Sequence, residues 1–79
     1  MALVKKIDRK IKSGGNIHGK VKCTYSIFHQ RGEKILQIDT YGSPTRANPD
    51  DPSQKLQFDR EGINELKRVL SEYDTTNPR

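Results

Sequence analysis

Leu56-Gln57-Phe58-Asp59-Arg60-Glu61-Gly62-Ile63-Asn64-Glu65-Leu66-Lys67 decides the fold of this chain, because its apolar period changes in the middle. Leu56 and Phe58 alternate with Lys55 and Gln57, the two-residue period of a strand with one apolar face. Asp59 follows as a helix N-cap, a carboxylate suited to accept from first-turn amides. Beyond it Ile63, Leu66, Val69, Leu70 and Tyr73 recur at three-to-four spacing along one helix face. Glu61 lies near the positive end of the helix dipole, and Lys67 and Arg68 lie nearer the negative end. A strand over 54–58 running straight into a helix over 60–72 is predicted.

Upstream, residues 19–28 alternate cleanly, Val21, Cys23, Tyr25 and Ile27 on one side and Lys20, Lys22, Thr24, Ser26 and Phe28 on the other. Gln30-Arg31-Gly32-Glu33 reads as a tight connection into a second strand over 34–41. There Leu36 and Ile38 join the apolar face, while Ile35, Gln37, Asp39 and Tyr41 point away. Residues 42–53 carry Pro44, Pro49 and Pro52 with Asn48, Asp50 and Asp51, which is loop chemistry. Leu3, Ile7 and Ile11 fit a helix face and a strand equally well, so period alone leaves the first element open. The expected fold is α+β, a small antiparallel sheet of three to four strands followed by one C-terminal amphipathic helix. The chain divides into a basic segment over 1–16, one domain over 17–73 and a frayed tail over 74–79. Val21, Cys23, Tyr25, Ile27, Leu36, Ile38, Leu56, Phe58, Ile63, Leu66, Val69 and Leu70 form the expected core.

That core is small. Leu, Ile, Val and Phe make up 17 of 79 residues, about 22 %, close to the level below which highly charged chains stay disordered. Short domains with so little to bury often need a partner subunit, and a homodimer is expected through the helix, whose apolar stripe of Ile63, Leu66, Leu70 and Tyr73 covers its own sheet with one edge and offers the other to a symmetric copy. One cysteine excludes a disulfide framework and a CxxC zinc site. Cys23 reads as a buried structural thiol, and His18 and His29 as loop residues, so no metal is expected. Asp39 with Tyr41, or Asp50 with Asp51, has no nucleophile or cofactor loop beside it, and no GxGxxG, P-loop, HExxH or GxSxG occurs. A non-enzymatic protein without a cofactor is expected. No apolar run approaches a membrane span or a secretory signal, which makes a soluble, cytoplasmic protein the expectation, with nucleoid association open to it.

The charge is asymmetric. Residues 1–34 carry a net charge of +7 and residues 35–79 a net charge of −2, within a total of +5. Five cations lie in Lys5-Lys6-Ile7-Asp8-Arg9-Lys10-Ile11-Lys12. Clustered cations suit a polyanion, whose counterions they release, although a basic arm also serves solubility alone. Lys20, Lys22 and Phe28 share one strand face, with Tyr41 and Lys55 on the outward faces of neighbouring strands. Cations interleaved with rings suit single strands, because charge tracks the phosphates and rings stack on bases.

Leu36-Gln37-Ile38-Asp39-Thr40-Tyr41, the loop end Pro52-Ser53-Gln54-Lys55 and the ungapped Leu56 to Lys67 stretch together resemble the DNA-binding domain of the Positive Cofactor Four family of transcriptional coactivators. The resemblance lies mainly over 34–72. It implies a sheet-plus-helix domain, homodimerisation and single-stranded DNA binding. Asp39 stands where that family usually has Arg, Lys55 where it has Gly, and Ile63 where it has Trp.

These readings converge on non-enzymatic binding of single-stranded DNA or RNA. The expected nucleic-acid-binding residues are Lys5, Lys6, Arg9, Lys10, Lys20, Lys22, Phe28, Tyr41, Arg46 and Lys55. The alternative is a small protein-interaction module, an adaptor or an inhibitor of the kind mobile elements encode, acting on an acidic protein partner.

Overall fold

The computed structural model describes residues 1–42 and 51–76. They form β1 (Ala2–Val4), β2 (Cys23–Gln30), β3 (Glu33–Tyr41), β4 (Pro52–Phe58) and α1 (Arg60–Thr75). The strands make one sheet in the order β1-β4-β3-β2. Strands β2, β3 and β4 are antiparallel neighbours, whereas β1 runs parallel to β4, with Ala2 opposite Leu56 and Val4 opposite Phe58. The fold is thus the expected α+β domain with one C-terminal helix. Its sheet is mixed, because the N-terminal segment, whose period fits helix and strand alike, supplies a short parallel edge.

Arg31 and Gly32 turn the β2–β3 hairpin with φ of 54° and 78°. Two consecutive left-handed residues make the two-residue turn whose twist matches that of the flanking strands. The ladder therefore closes at Gln30 opposite Glu33. This carries β2 two residues beyond its expected end, while its start falls at Cys23 instead of residue 19. Most of the loop over 42–53 lies outside the described residues; its last two residues, Pro52 and Ser53, belong to β4.

The cap forms as the sequence implies. Gly62 N–H donates to Asp59 Oδ1 at 2.9 Å, and Ile63 N–H to the Asp59 carbonyl at 2.8 Å. The helix runs through Thr75, three residues past the expected end and into the segment expected to fray. There Thr75 Oγ1 donates to the Ser71 carbonyl at 3.2 Å, and the Thr76 hydroxyl and backbone N–H both donate to the Glu72 carbonyl, at 2.6 and 3.0 Å. Gly62 brings the first turn against β1 and β4, where a Cβ would run into the Val4 carbonyl oxygen and touch the Phe58 ring.

Strand alternation sorts the sheet as expected. Cys23, Tyr25, Ile27, Leu36, Ile38, Leu56 and Phe58 lie on the helix side, and Thr24, Ser26, Phe28, Ile35, Gln37, Asp39, Tyr41, Lys55 and Gln57 on the other. The expected core does not close within one chain. Of its twelve members only Phe58, 5 % exposed, is buried, and the other buried hydrophobic residue among the described residues is Ile35, on the opposite face. The reason is the seat of α1, which packs over β3 and β4 and leaves β2 uncovered. Tyr25 and Ile27 remain 73 % and 57 % exposed, and Leu70 and Tyr73 of the helix stripe are exposed as well. Cys23, expected as a buried thiol, is exposed at the start of that uncovered edge strand.

Candidate nucleic-acid interface

The sheet face opposite α1 is built of rows that cross the strands. Thr24, Asp39 and Lys55 form one row, and Ser26, Gln37, Gln57 and Leu3 the next, with Phe28 beside Ile35 at the hairpin end. An amide ladder holds the middle. Gln57 Nε2 donates to Gln37 Oε1 at 2.9 Å, and Gln37 Nε2 donates to Asp39 Oδ1 at 2.9 Å. Asp39 is thereby held within the face by a neutral donor. Lys55 stands opposite it in register, yet no ion pair joins the two among the described residues.

Lys22 and Tyr41 close the far end of this face. The Lys22 ammonium lies 5.0 Å from the centroid of the Tyr41 ring, a cation–π distance. Two further contacts fix the ring. Tyr41 N–H donates to the Lys22 carbonyl at 3.0 Å, and the Tyr41 and Thr24 hydroxyls share a hydrogen bond of 3.0 Å. At the other end Leu3, Phe28 and Ile35 floor an open concavity of about 260 Å³ whose rim includes Gln57 and Arg31. Phe28 lies six steps along the chain from Lys22, roughly 20 Å at the usual rise per residue of a strand.

The basic arm is placed elsewhere. The Lys5 ammonium pairs with Asp59, the helix cap. Ile7 N–H donates to Glu65 Oε1 at 3.1 Å, Arg68 donates to the Ile7 carbonyl at 2.7 Å, and Arg9 pairs with Glu72 at 3.0 Å. Residues 5–9 therefore run along the helix flank at the β1 edge, with Lys5 and Arg9 matched by carboxylates of the cap and of α1. These contacts shift the groups involved. The Lys5 ammonium and then the Gly62 amide hold Asp59 below the usual carboxylate range, while Asp59 raises Lys5. Arg68 and then the Ile7 amide lower Glu65.

Of the residues expected to bind nucleic acid, Lys22, Phe28, Tyr41 and Lys55 share the face opposite α1, the last three of them half-buried. Lys5 and Arg9 face the helix, and Lys6 lies 3.7 Å from Asp8. Lys10 and Lys20 are exposed within 5–22, which forms no helix or strand. Arg46 lies outside the described residues. The chain matches no family model, no curated protein and no solved structure.

Sequence reading passed over Lys34, Arg60 and Lys67. On the helix side these three cations, with Ile27, Leu36 and Ile63, line a groove of about 230 Å³ that contains no acidic residue. Their spacing carries no signal, because the groove exists only where α1 crosses β3. Among the described residues, no three His, Cys, Asp or Glu side chains are grouped to hold a metal ion, and no helix is long and apolar enough to cross a membrane.

Proposed function

We propose that this protein binds single-stranded nucleic acid, DNA in the first instance, through the sheet face opposite α1, without catalysing a reaction. The observation that carries the reading is the Lys22 ammonium 5.0 Å over the Tyr41 ring on the sheet face opposite α1. Such a pair offers a phosphate a cation and a base a π surface in one place. Phe28 supplies a second ring at the opposite end, and Lys55 a second cation between them. The arm has a different part in this reading: with Lys5 and Arg9 matched by the helix, the phosphate-tracking charge comes from Lys22 and Lys55, supplemented by Lys6, Lys10 and Lys20. The coactivator-like role and the cytoplasmic or nucleoid location belong to the same proposal. The strand–cap–helix order from Leu56 to Lys67, on which the likeness to Positive Cofactor Four rests, supports it.

Fluorescence anisotropy with a labelled single-stranded oligonucleotide and the same sequence as a duplex, each at low and high salt, tests the reading. Single strands are expected to bind more tightly, and binding is expected to weaken as salt rises. Equal affinity for both forms, or affinity indifferent to salt, rejects it. The groove lined by Lys34, Arg60 and Lys67 favours a second reading, an interaction module for an acidic protein partner. In that case Lys34→Gln with Lys67→Gln abolishes partner binding, while Lys22→Gln with Tyr41→Ala leaves it intact.

A further inference from the structure

We propose that β2 is the seam of a symmetric dimer, in which the β2 strands of two copies pair antiparallel about a two-fold axis at Ser26 and extend the sheet to eight strands. Three observations lead there, none of which depends on the nucleic-acid reading. First, β2 is an edge of eight residues, Cys23–Gln30, without a proline or a bulge and without a Lys, Arg, Asp or Glu. Edge strands are ordinarily guarded by such features or kept short, as β1 is with three residues.

Second, the free backbone groups of that edge can be assigned. Tyr41 N–H donates to the Lys22 carbonyl, so Lys22 and Tyr41 are a hydrogen-bonded pair, and even-numbered residues of β2 turn their amides toward β3. Cys23, Tyr25, Ile27 and His29 therefore direct their N–H and C=O groups outward, and no other strand of the sheet pairs with them. A two-fold at Ser26 sets Tyr25 against the partner's Ile27 and Cys23 against the partner's His29. All four outward residues of each copy then meet outward residues of the other.

Third, the side chains that the seam would cover are the ones a single chain leaves open. Tyr25 and Ile27 stand on the helix side beyond the seat of α1 over β3 and β4, Ile27 at the edge of the groove beside it, and both stay exposed although their alternation marks them as core. Across the axis they form aromatic against β-branched cross-strand pairs, a favourable combination. With only Ile35 and Phe58 buried among the described hydrophobic residues, one copy closes too little core to stand alone, which selects a second copy as the permanent occupant. The absence of charge on β2 means that self-pairing sets no like charges opposite each other.

Sedimentation velocity of the full chain at micromolar concentration is expected to give twice the 9.0 kDa of one chain. Ile27→Pro removes an outward donor and no β2–β3 hydrogen bond, and is expected to abolish the dimer. Since that variant can also lose its fold, a cross-link provides the second test. Ser26→Cys in a Cys23→Ser background faces its own symmetry mate in a non-hydrogen-bonded pair, and mild oxidation should join the chains covalently. Gln30→Cys in the same background lies far from its mate and should stay free. A folded wild-type species of 9.0 kDa, an Ile27→Pro variant that remains dimeric, or a dimer in which Gln30→Cys cross-links and Ser26→Cys does not would overturn the proposal.

Discussion

The Lys22 ammonium lies 5.0 Å from the centroid of the Tyr41 ring, and a backbone hydrogen bond from Tyr41 N–H to the Lys22 carbonyl sets the two residues side by side at the open end of the β2–β3 pair. The Tyr41 hydroxyl is tied to Thr24, so the ring is set before any ligand arrives. Tyr41→Ala is expected to weaken single-strand binding about 5- to 150-fold, the range for losing one stacked base. Tyr41→Phe keeps the ring and should stay within a few-fold of wild type. Anisotropy titrations of the two variants, each checked by its thermal melt, decide whether ring or hydroxyl matters.

Salt dependence should separate the two groups of cations. Lys22→Gln with Lys55→Gln is expected to reduce the slope of log affinity against log salt by about 1.4, at roughly 0.7 for each single-strand phosphate no longer neutralised. Lys5→Gln with Arg9→Gln should leave the slope unchanged, since both cations already face Asp59 and Glu72. If the second pair lowers the slope as much as the first, the arm leaves the helix to bind nucleic acid.

Gly62→Ala should destabilise the domain by about 1 to 3 kcal/mol, the usual range for overpacking. The added methyl meets the Val4 carbonyl, which is backbone and has no rotamer to change. Helix propensity alone predicts the opposite sign, because Ala is the better helix former. A melt at or above that of wild type would show that β1 can lift from α1 at no cost.

Acid should weaken the arm–helix contacts first. Asp59 and Glu65 are held below their ordinary values of 3.8 and 4.5 in the fold and return to those values on unfolding. Their stabilisation is therefore complete above the ordinary values and disappears as pH falls through the depressed folded ones. The melting temperature is expected to drop below about pH 4. Asp59→Asn with Glu65→Gln should flatten that drop while keeping a competent cap, since Asn serves as well as Asp there. Asp59→Ala should lower the melting temperature by about 4 to 8 °C near neutral pH and by less below about pH 4, where the wild-type carboxylate is itself being protonated.

Local pattern determined a good deal of this molecule. The change of period at Asp59 marks where β4 becomes α1. The alternation through Tyr25, Ile27, Leu36 and Ile38 assigns each side chain to a face, and Arg31-Gly32 marks the hairpin. Each of these is written within a few consecutive residues, since a strand repeats every two and a cap acts over one turn. Tertiary structure alone decided which apolar positions are covered. The seat of α1 over β3 and β4 left Tyr25 and Ile27 open, exposed Cys23 and gathered Lys34, Arg60 and Lys67 around a groove. It also paired Lys5 with Asp59 and Arg9 with Glu72, partners 54 and 63 positions apart in the chain. No period or spacing encodes such pairings, because they depend on where two elements meet in space, and charge clustered along the chain says nothing of the charge it will face across the fold.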